Sequence, residues 1–279
     1  MNSYISEQYR DLAATARKYQ KDYTNAHPFP SIHFKNFFNP EYLDKVLAEF
    51  PDLSKQDVHR FDDARQKKFA GKGEKSFGVE TRRFMHYLNS EPFLEFVQII
   101  TGIKETLIGD PFYSGGGLHE IKPGGLLKVH ADFNKHPTLE LDRRVNVLVY
   151  LNKDWKPEYG GAFELWDKDM TKCEAKIPCE FNTLAMFSTT DYSNHGHPDP
   201  LTCPEGRSRK SLALYYFSNG RPASEINPEL REHSTLFKER GGNEADKAAF
   251  AQVPKYTLKD FAKDVTPPIV VKSVKRLMK

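Results

Sequence analysis

Cysteine and long apolar runs are both scarce in this chain of 279 residues. The three cysteines, Cys173, Cys179 and Cys203, form no CxxC pair, and their odd number leaves a thiol over. That pattern favours a reducing compartment. No stretch approaches the ~20 apolar residues of a membrane span, and residues 1–10 contain no apolar signal region. We therefore expect a cytoplasmic protein with no membrane span.

An excess of charge of one sign is also missing. Lys and Arg total 41 against 38 Asp and Glu, a net charge of +3, which is too even to indicate nucleic acid as a partner. Aromatic residues, in contrast, are plentiful: 20 Phe and 13 Tyr suit the core of a β-sandwich. The length allows one large domain or two small ones, and nothing in the sequence indicates an oligomeric state.

A pair of candidate metal ligands, His130 and Asp132, is followed much later by His195. Residues i and i+2 of a strand point to the same side, so this imidazole and this carboxylate face a common point. An HxD pair alone is weak evidence for metal ligands, because surface turns and salt-bridged pairs also produce it. Two histidines and one carboxylate on one face of a metal ion form the facial triad of non-haem Fe(II) oxygenases.

Short strands separated by Gly, Pro and Asn turns surround the candidate ligands. Alternating or continuous apolar patterns predict strands at 127–133, 143–152, 162–166, 182–187 and 209–217. Such a series describes an antiparallel sandwich or barrel. The HxD pair lies early in the series and His195 lies late.

Residues 113–221 resemble the 2-oxoglutarate- and Fe(II)-dependent dioxygenases, specifically the prolyl-4-hydroxylase-like branch. The motifs that carry the resemblance are, in order, His130-Ala131-Asp132, Val149-Tyr150-Leu151-Asn152, Gly160-Gly161, Leu184-Ala185-Met186-Phe187, His195-Gly196-His197-Pro198 and Arg209-Lys210-Ser211-Leu212. The ordered set is specific, although it covers somewhat under half of the chain. The resemblance implies a mainly β fold with flanking α, in which N-terminal helices buttress a double-stranded β-helix core of the jelly-roll or cupin-like type.

The resemblance also implies a reaction. Fe(II) would be bound by His130, Asp132 and His195, which are then the catalytic residues, with 2-oxoglutarate and O2 as cosubstrates and ascorbate as a further cofactor to consider. The expected reaction is hydroxylation of an unactivated C–H in an amino-acid-like small molecule, a peptidyl residue or a sugar-linked metabolite, with release of succinate and CO2. Halogenation is not expected, because halogenating relatives replace the carboxylate ligand. Desaturation and cyclisation stay open.

The cosubstrate's far carboxylate needs a cation, and Arg209 can bind it through two hydrogen bonds. Arg207 and Lys210 are rivals, but strand alternation puts Arg209 and Ser211 on one face, and the family pattern of a basic residue followed by a small hydroxyl matches them.

Asn146 and Tyr113 align with positions that contact 2-oxoglutarate in relatives, and each could equally be a core polar group. His195 and His197 are two residues apart, so both could face the metal. The family pattern favours His195, with His197 behind the ligands, at the substrate mouth, or simply capped by Asp199 in a loop.

The sequence before the predicted core indicates mainly helices that support it. We expect a helix over 3–23, a strand near 28–34, and helices that begin at Asn39-Pro40 and at Ser90. Residues 54–83 are charged and predict a solvated loop, or alternatively a lid from which Lys68, Arg82 or Arg83 meets an anionic group.

The resulting division is 1–105 for helical support and entering strands, 106–222 for the Fe(II)/2-oxoglutarate core, and 223–279 for a C-terminal helical extension. Within the extension, 245–252 is compatible with a helix. Residues 269–279 form a basic amphipathic segment that packs on its own domain or binds a partner or an anionic surface.

A non-catalytic β-sandwich that binds a metal or acts as a sensor is the alternative to an enzyme. A closed structural zinc site would prefer four protein ligands with cysteine among them. None of the three cysteines lies in the His/Asp cluster. The sequence therefore favours the enzyme.

Overall fold

Thirteen strands and five α-helices make up the regular structure of the computed structural model, which describes residues 4–226, 229–230 and 232–252. The strands are β1 (Ser31–Lys35), β2 (His59–Asp63), β3 (Gln66–Ala70), β4 (Ile108–Gly109), β5 (Gly117–Ile121), β6 (Leu127–Ala131), β7 (Asp142–Tyr150), β8 (Phe163–Trp166), β9 (Cys173–Ile177), β10 (Thr183–Ser188), β11 (Asn194–His197), β12 (Arg209–Ser218) and β13 (Leu236–Phe237). The helices are α1 (Leu12–Thr24), α2 (Pro40–Ala48), α3 (Val79–Leu88), α4 (Glu91–Thr101) and α5 (Glu244–Ala251).

The strands pair antiparallel in two groups that face each other. One group runs in the order β1-β10-β7-β12-β5 and the other in the order β6-β11-β8-β9, while β3 pairs with both β5 and β6 and so joins the groups. This arrangement, in which the chain alternates between two sheets, is the double-stranded β-helix that the sequence predicts. The predicted fold class is confirmed.

The two faces of β7 show how the sheet separates core from cavity. Val145, Val147 and Val149 are fully buried on one face, within the apolar cluster that includes the α4 residues Phe93 and Phe96. The alternate residues Asn146 and Leu148 face the other way and line a cavity between the two groups of strands. One strand therefore anchors the helices and positions polar side chains.

The helix boundaries follow the predicted caps, with one shift. The Asn39 side chain accepts hydrogen bonds from the backbone N–H groups of Glu41 and Tyr42 at the start of α2, and Gly102 ends α4 in the left-handed region with φ 68°. The first helix begins at Leu12 rather than near residue 3, because the Asp11 carboxylate accepts from Ala14 N and caps it there.

The loop predicted for residues 54–83 is wrong. β2 and β3 form a hairpin there, followed by α3. Lys67 N donates to Leu126 O at 2.8 Å and Lys128 N donates to Arg65 O at 2.8 Å, which holds the hairpin against β6. Its outer face is solvated, so charged residues interrupt the alternation that would otherwise identify strands. Arg82 and Arg83 lie on α3 in exposed ion pairs with glutamates.

The C-terminal segment packs on the strand that bears the first histidine. β13 pairs with β6 so that Phe237 lies opposite His130, and the Lys128 ammonium forms a 2.7 Å ion pair with Asp246 of α5 in which both side chains are buried. The predicted helix at 245–252 is confirmed by α5. The segment 269–279 lies outside the described residues, and the three-part division stays a prediction. None of the described helices is long and apolar enough to cross a membrane.

Candidate active site

The two histidines and the aspartate of the predicted triad meet inside the cavity. His195 of β11 lies directly opposite His130 of β6, and Asp132 follows the last residue of β6. Asp132 Oδ1 is 3.5 Å from His130 Nε2, and Asp132 Oδ2 is 3.3 Å from His195 Nε2. One ligand atom from each residue lies within 4.8 Å of the others, and all three residues are buried. This spacing fits a single metal ion.

Both histidines present the same ring nitrogen to the centre of the cluster. His130 Nδ1 lies 2.9 Å from Lys128 O and His195 Nδ1 lies 2.8 Å from Ser193 O, so each Nδ1–H donates to a backbone carbonyl. The Nε2 lone pairs are thereby free for a metal. Burial, reinforced by the neighbouring His195, lowers the pKa of His130 to about 4, which keeps this ring neutral.

Asp132 is fixed by two neighbours on β7. Its Oδ2 accepts from Arg143 Nη2 at 3.0 Å and from Asn146 Nδ2 at 2.6 Å. Burial alone would raise the pKa of Asp132, but the positive charge of Arg143 outweighs it and holds that pKa well below its ordinary value. Asn146, expected beside 2-oxoglutarate, therefore contacts the aspartate, and its contact with the cosubstrate stays a prediction.

Arg209 lies at the other end of the cavity. Its Nε donates to Gly161 O at 2.8 Å and its Nη2 to the Tyr150 hydroxyl at 3.2 Å. Gly161 has φ 75°, and a Cβ there would lie 2.9 Å from Arg209 Cδ, so the second glycine of the Gly-Gly motif makes room for the arginine. Both partners of Arg209 are neutral, which leaves its charge for an anion.

The rival cations face elsewhere. Arg207 donates to the carbonyls of Lys153 and Asp154 at the surface, and the Lys210 ammonium lies over the Phe50 ring on the opposite face of β12. Ser211 lines the cavity together with Arg209, as strand alternation predicts. Tyr113 is not among the residues that line it, because its ring packs edge-on against Phe77 in the helix-side core.

His197 also lines the cavity, and it is buried. Neither of its ring nitrogens has a hydrogen-bond partner among the described residues. Asp199, the expected cap, instead pairs with Arg240 at 2.8 Å. His197 therefore belongs to the cavity wall beside Arg209 and lies outside the cluster of three ligands.

Sequence reasoning did not assign the roles of four residues at the site, Tyr150, Tyr215, Arg143 and Lys68. Tyr150, which accepts a hydrogen bond from Arg209, shares a strand face with Asn146, and Tyr215, which lines the cavity, shares one with Arg209. Alternation could have identified both. Arg143 has the opposite parity to Asn146, and an irregularity in the β7–β12 pairing near it explains why alternation fails there. Lys68 was considered only as part of a lid, yet it lines the cavity from the β2–β3 hairpin.

Comparison with known proteins agrees with this geometry. Residues 116–217 match the family model of the 2OG-Fe(II) oxygenase superfamily. A search of curated protein sequences found no match. A prolyl-4-hydroxylase from Pseudomonas putida shares the fold, with TM-score 0.53 and 16% identity over 75% of this chain and 100% of that chain.

Two further prolyl hydroxylases have the same fold. One, from Trichoplax adhaerens, was solved in complex with a hypoxia inducible factor peptide fragment, and it has TM-score 0.54 and 18% identity over 76% of this chain and 92% of that chain. The other, a prolyl 4-hydroxylase from Phytophthora capsici, has TM-score 0.54 and 18% identity over 82% of this chain and 71% of that chain. Nothing in the comparisons favours a non-catalytic module. The match over residues 116–217 and the cluster of His130, Asp132 and His195 together indicate a 2OG-Fe(II) oxygenase domain, a family that uses Fe(II), 2-oxoglutarate and O2.

Proposed function

We propose that this protein hydroxylates an unactivated C–H bond of an amino-acid-like small molecule, a peptidyl residue or a sugar-linked metabolite, and converts 2-oxoglutarate to succinate and CO2. One observation carries the proposal. Two histidines and one aspartate converge in a buried cavity that also contains an arginine with no acidic partner among the described residues. The first group suits Fe(II), and the arginine suits a dicarboxylic cosubstrate.

In this proposal His130, Asp132 and His195 hold the metal. When bound, Fe(II) supplies the centre at which the cosubstrate and O2 react. The chain's own contribution is orientation: the carbonyls of Lys128 and Ser193 fix the two rings. Arg143 and Asn146 hold Asp132 on Oδ2, which leaves Oδ1 available to the metal.

Arg209 binds the far carboxylate of 2-oxoglutarate in this proposal, with the Tyr150 hydroxyl and Ser211 beside it. Because Arg209 is buried and its two present hydrogen bonds go to neutral oxygens, a carboxylate here would gain charge-assisted bonds with little competition from water. Phe163, Phe187 and Leu148 form apolar walls of the same cavity and exclude solvent.

A groove beside the cavity supports a substrate larger than a single small molecule. It has a volume of about 490 Å³ and is bordered by Phe133, the residue after Asp132, and by Ser234 and Thr235 of the C-terminal segment. The Trichoplax adhaerens relative binds a peptide, and that adds support for a peptidyl substrate. Proline itself is not implied, since a shared fold does not fix the substrate.

Anaerobic titration tests the proposal. Adding Fe(II) and 2-oxoglutarate should produce the weak visible charge-transfer band of the chelate, and His130→Ala or His195→Ala should abolish it. His86→Ala, which changes an exposed histidine on α3, is the control and should leave the band intact. Succinate release across a library of metabolites and peptides then identifies the substrate. A native protein that shows no band, or triad variants that retain it, would contradict the proposal.

A further inference from the structure

Lys68 is a second cation in the cavity that the proposed reaction does not use. It lies on β3 directly opposite Phe61 of β2, and its ammonium is 5.1 Å from the centre of the Phe61 ring. Lys68 lines the same cavity as the triad and Arg209, whereas its neighbour Lys67 is exposed on the other face of the strand. The hairpin thus carries one lysine inward and one outward.

No acidic side chain of the described residues lies within salt-bridge distance of Lys68. Among the described residues that line the cavity, Asp132 is the one carboxylate, and it already pairs with Arg143 and faces the two histidines. Desolvation lowers the pKa of Lys68 to about 8, so the ammonium is still largely charged near neutral pH. A desolvated cation without an anion costs free energy, and a ligand that supplies the anion lowers that cost.

Loading the site with its cofactors does not supply that anion. The 1-carboxylate of 2-oxoglutarate would bind at Fe(II), and its far carboxylate would be matched by Arg209, so neither is left for Lys68. The charge of Lys68 remains after both have bound. Its origin on the hairpin, outside the alternating strands that carry Arg209 and Tyr150, also separates it from the proposed cosubstrate contacts.

We propose that Lys68 binds an anionic group of the primary substrate, a carboxylate or a phosphate, and thereby selects acidic substrates. This inference rests on the proposed function, because it assigns the substrate class of the same site. An ammonium is a point charge that accepts either anion, so the chemistry shared by the two is what the lysine recognises. Phe61, stacked on the lysine, holds it toward the cavity.

The first experiment measures 2-oxoglutarate binding by calorimetry to the Zn(II)-loaded protein, which cannot turn over. Lys68→Met should bind the cosubstrate about as tightly as native protein, and so should the matched control Lys67→Met, while Arg209→Met should bind it far more weakly. If Lys68→Met loses as much affinity as Arg209→Met, Lys68 belongs to the cosubstrate site and the inference is overturned. Failure of native protein to bind 2-oxoglutarate would instead contradict the proposed function.

The second experiment titrates the Zn(II)- and 2-oxoglutarate-loaded protein with acetate, inorganic phosphate and neutral acetamide at constant ionic strength. Native protein and Lys67→Met should bind at least one of the two anions roughly tenfold more tightly than acetamide, and Lys68→Met should lose that preference. The preferred anion distinguishes a carboxylate from a phosphate substrate. Equal binding of anions and acetamide by native protein, or an unchanged preference in Lys68→Met, overturns the inference. Circular dichroism melting verifies that each variant is folded.

Discussion

Two buried arginines at the site, Arg143 beside Asp132 and Arg209 in the cavity wall, have contrasting surroundings. Arg143 forms a 3.0 Å ion pair with Asp132, and its guanidinium carbon lies 4.2 Å from the centre of the Phe133 ring and 3.4 Å from that of the Tyr215 ring. Arg209 has no acidic partner among the described residues, and its hydrogen bonds go to a carbonyl and a phenol.

This contrast separates stability from ligand binding. At the Arg143 end the protein supplies both charges, so the ion pair contributes to folding before any ligand arrives. At the Arg209 end the protein supplies one charge, which costs free energy in the folded state and is compensated when an anion binds. The two ends should therefore respond in opposite ways to neutral substitutions.

Asp132→Ala should have the largest effect on the metal-free protein. Removing the carboxylate leaves Arg143 buried without its partner, so we expect the free energy of unfolding to fall by about 3 to 5 kcal/mol. Chemical denaturation of metal-free protein measures it. Asp62→Ala, on the exposed hairpin, is the control and should change stability by less than about 0.5 kcal/mol. A metal-free Asp132→Ala protein as stable as native would mean that the ion pair contributes nothing to folding.

Arg209→Met should leave the metal-free protein at least as stable as native, since it removes an unpaired buried charge. Its affinity for 2-oxoglutarate should fall by about 2 to 5 kcal/mol, because the far carboxylate would lose its cation. Calorimetric titration of the Zn(II)-loaded variant measures the loss. Arg143→Met is the matched comparison, and its metal-free protein should instead be less stable than native protein. If both arginine variants lose stability alike, the contrast between the two ends is wrong.

Tyr150→Phe should weaken 2-oxoglutarate binding less than Arg209→Met does. The phenol accepts a hydrogen bond from Arg209 and lies beside the proposed position of the cosubstrate carboxylate. We expect a loss of about 1 kcal/mol in 2-oxoglutarate affinity and little change in the proposed Fe(II) site, measured by the same titration. A loss as large as that of Arg209→Met would mean that the hydroxyl, rather than the guanidinium, is the main contact.

Strand alternation explains how much of the site could be predicted from sequence. Arg209 and Ser211, two positions apart on β12, both face the cavity. His130 and Asp132 direct their ligand atoms into the same cluster. These predictions depend only on a regular strand, and the double-stranded β-helix is regular there. Tyr113 shows the limit: its left-handed backbone, with φ 51°, lies in a turn, so no periodicity fixes where its ring points.

Long-range partners account for what the sequence could not provide. Lys68 reaches the cavity only because β3 pairs with two strands that are distant from it in sequence, and the local composition of the hairpin resembles a solvated loop. Phe237 lies opposite His130 for the same reason. Pairings of this kind depend on tertiary packing rather than local preference, so a single sequence does not specify them.

Lys68 allows one last and smaller test, through pH. Its pKa is lowered from 10.5 to about 8 by desolvation, so between about pH 8 and 10.5 the unfolded chain binds more protons than the folded protein. The free energy of unfolding of metal-free protein should therefore rise with pH across that window, by less than about 1 kcal/mol because the side chain is only partly buried. Lys68→Met should lack this rise. Subtracting the variant's stability-against-pH curve from the native curve removes the contribution of tyrosines and cysteines that titrate in the same pH range. Parallel curves for native and variant protein would show that the ammonium is solvated, and that the cavity carries one uncompensated cation rather than two.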